Sequence, residues 1–219
     1  MLLTLFLLLR GFSSDAPVYF FVLAIVAGLV VWLSAGLDKA RMGRTWDHFV
    51  LIGKELGIDV QKQEVTTFFP KRPALEGNFR GFRLKLFTEQ RGYGKHTYYC
   101  TMLHLYLKNE NGFDFQLLKF SQAGKAGRER ALSMDHADFD QKFVLSSRQP
   151  GKALAVFDAR LCDRLAKFDY LFFALTKLEE NKIVYEEQEL INSPERARRF
   201  SMLIDCCADI AENVQREGA

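Results

Sequence analysis

The sequence is short of the features that usually betray a catalytic or metal-binding protein. It has four cysteines, Cys100, Cys162, Cys206 and Cys207, but no Cys-x-x-Cys pair and no spacing that suits zinc. An even number leaves a disulfide open on an oxidising side of a membrane. The reading preferred from composition is four reduced thiols packed as small hydrophobes. There is no Gly-x-Ser-x-Gly nucleophile turn, no Walker phosphate loop and no EF-hand. The four histidines, His48, His96, His104 and His136, have no partner at ligand or triad spacing. Net charge is only +3 over 219 residues, too small an excess to point to nucleic acid. Internal repeats and low-complexity tracts are also missing, so neither a solenoid nor a disordered tail is expected.

One long hydrophobic run is present, and it organises the chain. Pro17 to Leu37 is 21 residues without a charge. At about 1.5 Å per residue, a helix of that length matches the hydrocarbon core of a bilayer. Tyr19, Phe20 and Phe21 stand near one end and Trp32 near the other, where amphipathic rings favour the interface. Lipid contact is therefore expected through these residues. Basic side chains flank the run unequally: Arg10 before it, and Lys39, Arg41 and Arg44 after it. The positive-inside tendency then places everything beyond the run in the cytoplasm and the short leading segment outside. The expected location is the inner (cytoplasmic) membrane, crossed once.

Ahead of the run, Met1 to Leu9 offers Leu2, Leu3, Leu5, Phe6 and Leu9 among seven Leu or Phe residues in nine. It is too short to span and lacks the positive start of a signal peptide. Ser34-Ala35-Gly36 could still serve as a cleavage site after a long leader. The preferred reading lays Met1 to Leu9 on the membrane or on a partner's spanning helix. The organisation expected is residues 1–16 as this short segment, 17–37 as the span, 38–57 as a juxtamembrane helix and 58–219 as one soluble domain.

That domain reads as α+β, with a mainly antiparallel sheet packed by two or three amphipathic helices. Thr45 to Gly57 has helical spacing through Trp46, Phe49, Val50, Gly53 and Leu56, either continuing from the span or breaking at Gly43. Ile58 to Val65 is expected as a strand. Phe82, Leu84 and Leu86 alternate with Arg83 and Lys85, as in a half-buried strand. Thr97 to Leu107 is the longest expected strand, joined to the preceding one through the glycine-bearing Gln90 to Lys95. Asn109 to Gly112 is a turn, with Phe113 to Phe120 returning from it. Phe139 to Ser146 is expected as a strand and Ser121 to Arg130 as a mobile loop. Ala153 to Phe168 is expected as one helix with Leu154, Phe157, Leu161, Leu165 and Phe168 on its buried face. Leu171 to Leu178 and Ile183 to Gln188 form a hairpin. Ser193 caps a final helix with Pro194 in its first position, and Phe200, Leu203, Ile204, Cys207, Ala211 and Val214 face inward.

Two clusters carry any chemistry the sequence offers. Asp135, His136, Asp138 and Asp140 could hold a divalent cation. The favoured alternative is an acidic turn whose carboxylates cap backbone amides. The loop around Lys125, with Gly124, Gly127 and Arg128, could cradle a phosphate, although it lacks the Walker spacing and a flexible exposed loop is the favoured reading. No cofactor is expected.

The segment Asp138-Phe-Asp-Gln-Lys-Phe-Val144, followed by Pro150 and the helix through Leu165, resembles a motif in uncharacterised bacterial membrane-anchored proteins. The Gly77-x-x-x-Gly81-Phe82 lead-in to a strand is similar as well. Members of that group often carry two spanning helices, where this chain has one plus the short leading segment. The resemblance implies a bacterial membrane protein with a cytoplasmic α+β domain, and it brings no active site. Three functions fit these features. The first is a non-enzymatic accessory or assembly subunit of a larger membrane complex. The second is a membrane-tethered enzyme or ligand/metal-binding domain using residues 135–140 or the loop around Lys125. The third, with less behind it, is a lipid-surface sensor using Lys39, Arg41 and Arg44.

Overall fold

The computed structural model describes residues 16–58, 72–93, 96–167 and 175–217. Two compact units are present, Met1–Arg41 and Met42–Ala219. The expectations for Met1 to Leu9, for the strand beyond Ile58 and for Phe168 lie outside the described residues.

The first helix, α1 (Ala16–Leu56), is 41 residues long and runs through Gly43 without a break. Gly57 ends it in the left-handed conformation (φ +67°), and the Ile58 amide turns back onto the Gly53 carbonyl at 2.8 Å. In the first unit every described side chain from Tyr19 to Leu37 is exposed. A helix that is apolar all round and uncovered is stable in lipid rather than water. An 18-residue window of it reaches a mean hydropathy of 2.5, so this one helix among the described residues is long and apolar enough to cross a membrane.

The second unit is α+β. Its strands are β1 (Ala74–Phe79), β2 (Phe82–Arg91), β3 (Tyr98–Tyr106), β4 (Phe115–Lys119), β5 (Phe143–Ser146), β6 (Leu175–Glu179) and β7 (Lys182–Glu187). They form one seven-stranded sheet in the order β1-β2-β3-β7-β6-β4-β5, antiparallel throughout. The alternation in β2 works as expected: Phe82, Leu84 and Leu86 are buried with Leu103 and Leu105 of β3 and Ile183 and Tyr185 of β7. These side chains share one hydrophobic core with Phe49 and Ile52 of α1 and with the helices below. Each such fully buried side chain contributes about 1.5–3 kcal/mol relative to exposure. In α1 the inward stripe is Met42, Thr45, Phe49 and Ile52, so Trp46 and Val50 lie at its margin.

Among the described residues five more helices follow: α2 (Lys125–Glu129), α3 (Ala137–Lys142), α4 (Pro150–Val156), α5 (Ala159–Ala166) and α6 (Pro194–Arg216). Ser193 caps α6 by accepting from the Arg196 amide at 3.2 Å. Buried residues lie on nearly every side of α6, including Phe200, Leu203, Ile204, Cys206, Cys207 and Ala211. Phe200 meets Tyr185 edge-to-face at 5.7 Å between ring centroids, which fixes α6 against the sheet.

Four expectations need correction. Phe139 to Ser146 is not all strand: Ala137–Lys142 is helical, because His136 caps it and Asp138 and Asp140 sit in its first turn, where the helix dipole favours carboxylates. The single helix over 153–168 is two. Phe157 leaves helical geometry, and Asp158 restarts the chain by accepting from the Leu161 amide at 2.8 Å. Leu154 is consequently exposed. The loop Ser121 to Arg130 contains the short helix α2. Finally, β4 does not return onto β3; β7 and β6 lie between them.

Candidate functional site

The acidic cluster makes local structural contacts and one contact to α5. In the neutral ring His136 Nδ1 accepts the Phe139 amide at 3.3 Å and the ring proton sits on Nε2, which faces Asp163 Oδ1 of α5 at 2.9 Å; protonation to imidazolium keeps the Asp163 contact and gives up the Phe139 cap. The hydrogen bond to Asp163, reinforced by the Asp163 charge, raises the His136 pKa above its ordinary value. The Asp140 carboxylate accepts the Met134 amide and the Ser133 hydroxyl, each at 3.2 Å. Asp135 adopts a left-handed backbone (φ +52°), and Asp138 is exposed. Among the described residues, no group of three or more His, Cys, Asp or Glu side chains is placed to hold a metal ion. Asp135, His136 and Asp140 are thus engaged in hydrogen bonding, and Asp138 stands exposed beside them in the first turn of α3. The sequence missed Asp163, which is 27 residues from His136 along the chain.

The Lys125 loop is also built around a structural contact. The Arg128 guanidinium lies 4.6 Å from the Phe120 ring centroid and donates to the Ala123 carbonyl at 2.9 Å.

All four cysteines are buried. Burial pushes the thiol of Cys100 up to about 11 and that of Cys162 up to about 12. Cys206 is likewise raised to about 11, and Cys207 is raised further. Thiols held in this form are poor nucleophiles.

The densest charge network lies elsewhere and was not read from the sequence. Arg80, in the β1–β2 turn, donates to Asp205 and Asp209 at 2.8 Å each and to Glu212 at 2.7 Å. Arg164 of α5 holds the other oxygens of Asp205 (2.7 Å) and Asp209. Burial pushes the Asp205 carboxyl up, but the two guanidinium groups outweigh it and hold the carboxyl below its ordinary range. The spacing of Asp205, Asp209 and Glu212 on one helical face was the available signal; their partners were not legible. With each of the three acids paired to one or both of the two arginines, the network ties the β1–β2 turn, α5 and α6 together.

A separate cleft of ≈ 370 Å³ opens where the β3–β4 connection meets α4 and the end of α6. Phe113, Val156 and Val214 supply its apolar lining, with Lys108 and Lys152 at its polar part. It shares no residue with the acidic cluster or the Lys125 loop. Of the membrane candidates, Phe20, Phe21 and Trp32 are 78%, 69% and 72% exposed, and Tyr19 is 37% exposed. Lys39, Arg41 and Arg44 are exposed too. Leu2, Leu3, Leu5, Phe6 and Leu9 lie outside the described residues.

By sequence, the chain matches no family model and no curated protein. By fold, it is similar to the crystal structure of the mycobacterial trehalose monomycolate transport factor A, TtfA. The TM-score is 0.50 at 12% identity, over 78% of this chain and 94% of that one.

Proposed function

We propose that the protein is a non-enzymatic accessory or assembly subunit of a larger membrane complex. Its span anchors it in the inner membrane, and its α+β domain docks on the complex from the cytoplasmic side. The observation that carries this reading is the use made of the chemically capable side chains. His136, Asp140, Arg128 and the Arg80–Arg164 network are all committed to holding elements together, and the cysteines are buried. The similarity to a transport factor supports the same reading through fold. The cytoplasmic placement rests on Lys39, Arg41 and Arg44 against Arg10, and the docking role of Met1 to Leu9 on its apolar density.

The test is co-purification of the full chain in mild detergent. A stoichiometric membrane partner is expected, and deletion of residues 2–9 should weaken its recovery while leaving membrane insertion intact. A monomer that carries bound nucleotide or metal and no partner would overturn the proposal in favour of a tethered enzyme or ligand-binding domain.

A further inference from the structure

The β3–β4 connection carries an asparagine–glycine pair, Asn111-Gly112, in an exposed turn. The turn is pinned on both sides of the pair. Asn109 Oδ1 accepts the Phe113 amide at 3.0 Å, and Asn109 Nδ2 donates to the Phe113 carbonyl at 2.7 Å. The same Nδ2 donates to the Glu180 carbonyl at 2.6 Å, which fastens the connection to the β6–β7 turn. Gln149 donates to the Gly112 carbonyl at 3.2 Å. Between these pins the Gly112 nitrogen is lightly held: its amide reaches the Asn109 carbonyl at 3.3 Å, longer than the usual hydrogen bond. Gly112 has a left-handed backbone (φ +58°), and no atom lies within 4 Å of the place a Cβ would take.

We propose that Asn111 is a site of spontaneous covalent modification. In the folded protein it deamidates to aspartate and isoaspartate, and the isoaspartate form releases the β3–β4 connection from the β6–β7 hairpin. The Gly112 amide gives its proton to hydroxide, and its nitrogen attacks the Asn111 side-chain carbonyl carbon. A nitrogen–carbon bond forms, the bond from that carbon to Nδ2 breaks, and Nδ2 leaves as ammonia with a proton taken from water. Water then opens the cyclic imide at either carbonyl, giving aspartate or isoaspartate. The net change consumes one water and releases one ammonia, with no oxidant or cofactor. A Cβ on the attacking residue would hinder the approach, and glycine has none. The chain has six asparagines, and the other five precede Phe79, Glu110, Lys182, Ser193 and Val214. Aspartate at position 111 keeps the backbone length. Isoaspartate routes the backbone through the side chain and inserts a methylene between Asn109 and Phe113, whose two mutual hydrogen bonds fit the present spacing.

The experiment incubates the full chain in detergent at neutral and at mildly alkaline pH and locates deamidation by fragmentation mass spectrometry after digestion. Chromatography separates the aspartyl and isoaspartyl peptides. Position 111 is expected to convert to both products, faster at the higher pH because the attack needs a deprotonated amide. The other five asparagines should stay intact, and Asn111→Gln should show no conversion. Hydrogen exchange then reads the consequence. The Phe113 amide should be protected in fresh protein and in Asn111→Asp, and should lose that protection in the isoaspartyl fraction. An Asn111 that stays intact in the folded chain but converts once the chain is denatured would overturn the site, because the turn would then shield it. Conversion spread evenly over the asparagines would overturn the selection by Gly112. An isoaspartyl fraction that exchanges like Asn111→Asp would overturn the release of the connection.

Discussion

Arg80 and Asp209 lie 2.8 Å apart although 129 residues separate them, and Arg80 holds this pose with a left-handed backbone (φ +51°). The strained position is useful because the side chain joins the outermost hairpin of the sheet to the most buried helix. Arg80→Ala should destabilise the domain by about 1–2 kcal/mol, the range for a partly exposed, charge-assisted network. Arg80→Gly loses the same contacts but relieves the backbone, and should recover about 1 kcal/mol of that loss. Thermal unfolding of both variants in detergent checks the order. Equal stabilities would mean that the turn is not strained.

Leu161→Ala should cost roughly 2–5 kcal/mol, since the side chain is 2% exposed and its removal leaves a cavity in the shared core. Asp138→Asn, exposed in the first turn of α3, should cost only about 0.3–1 kcal/mol through the helix dipole. Denaturant titration separates the two. A larger loss for Asp138→Asn would restore the acidic cluster as a site.

The His136–Asp163 pair predicts a pH dependence. Because the folded pKa of His136 is raised, its contribution is fully present below the ordinary histidine value and is lost as pH rises through the raised one. The stability difference between wild type and Asp163→Asn should therefore be larger near about pH 5.5 than near about pH 8. A difference independent of pH would show that the imidazole is not held in its charged form by Asp163.

In the native protein, none of the four thiols should react with an aromatic disulfide reagent at neutral pH until denaturant is added. Each is at most 1% exposed, and each is raised in pKa. That silence makes topology measurable: an exposed thiol introduced by Met202→Cys should react with an impermeant reagent only after cells are opened. Reaction in intact cells would reverse the proposed orientation.

Local patterns made much of the fold legible. Period-two alternation gave β2 and β3, the Ser193-Pro194 pair gave the start of α6, and Gly57 gave the end of α1. Two of the errors arose where one side chain outweighed a local pattern, and the misplaced β4 where strand order is set by long-range pairing. Asp158 splits a plausible sixteen-residue amphipathic stretch by capping its second half. His136, an unusual cap, turns the start of an expected strand into helix. The candidate clusters were found as neighbours, but their roles depended on Asp163, Phe120 and Arg80. These partners are brought close only by the assembled sheet and helices, and no spacing rule reports them.

The strand order carries a consequence for how the domain forms. β1 to β3 make one meander and β4 pairs with β5, but the two groups are not neighbours in the sheet; the β6–β7 hairpin is the keystone between them. Until it docks, β3 and β4 each present a bare edge, the kind of surface that recruits other chains. Closing the sheet requires contacts between residues far apart in sequence, so folding should be slow for a domain of this size, with a half-assembled form prone to aggregation. A substitution that weakens the hairpin, even one far from any partner surface, would then reduce the yield of folded protein more than the stability of molecules that have already folded.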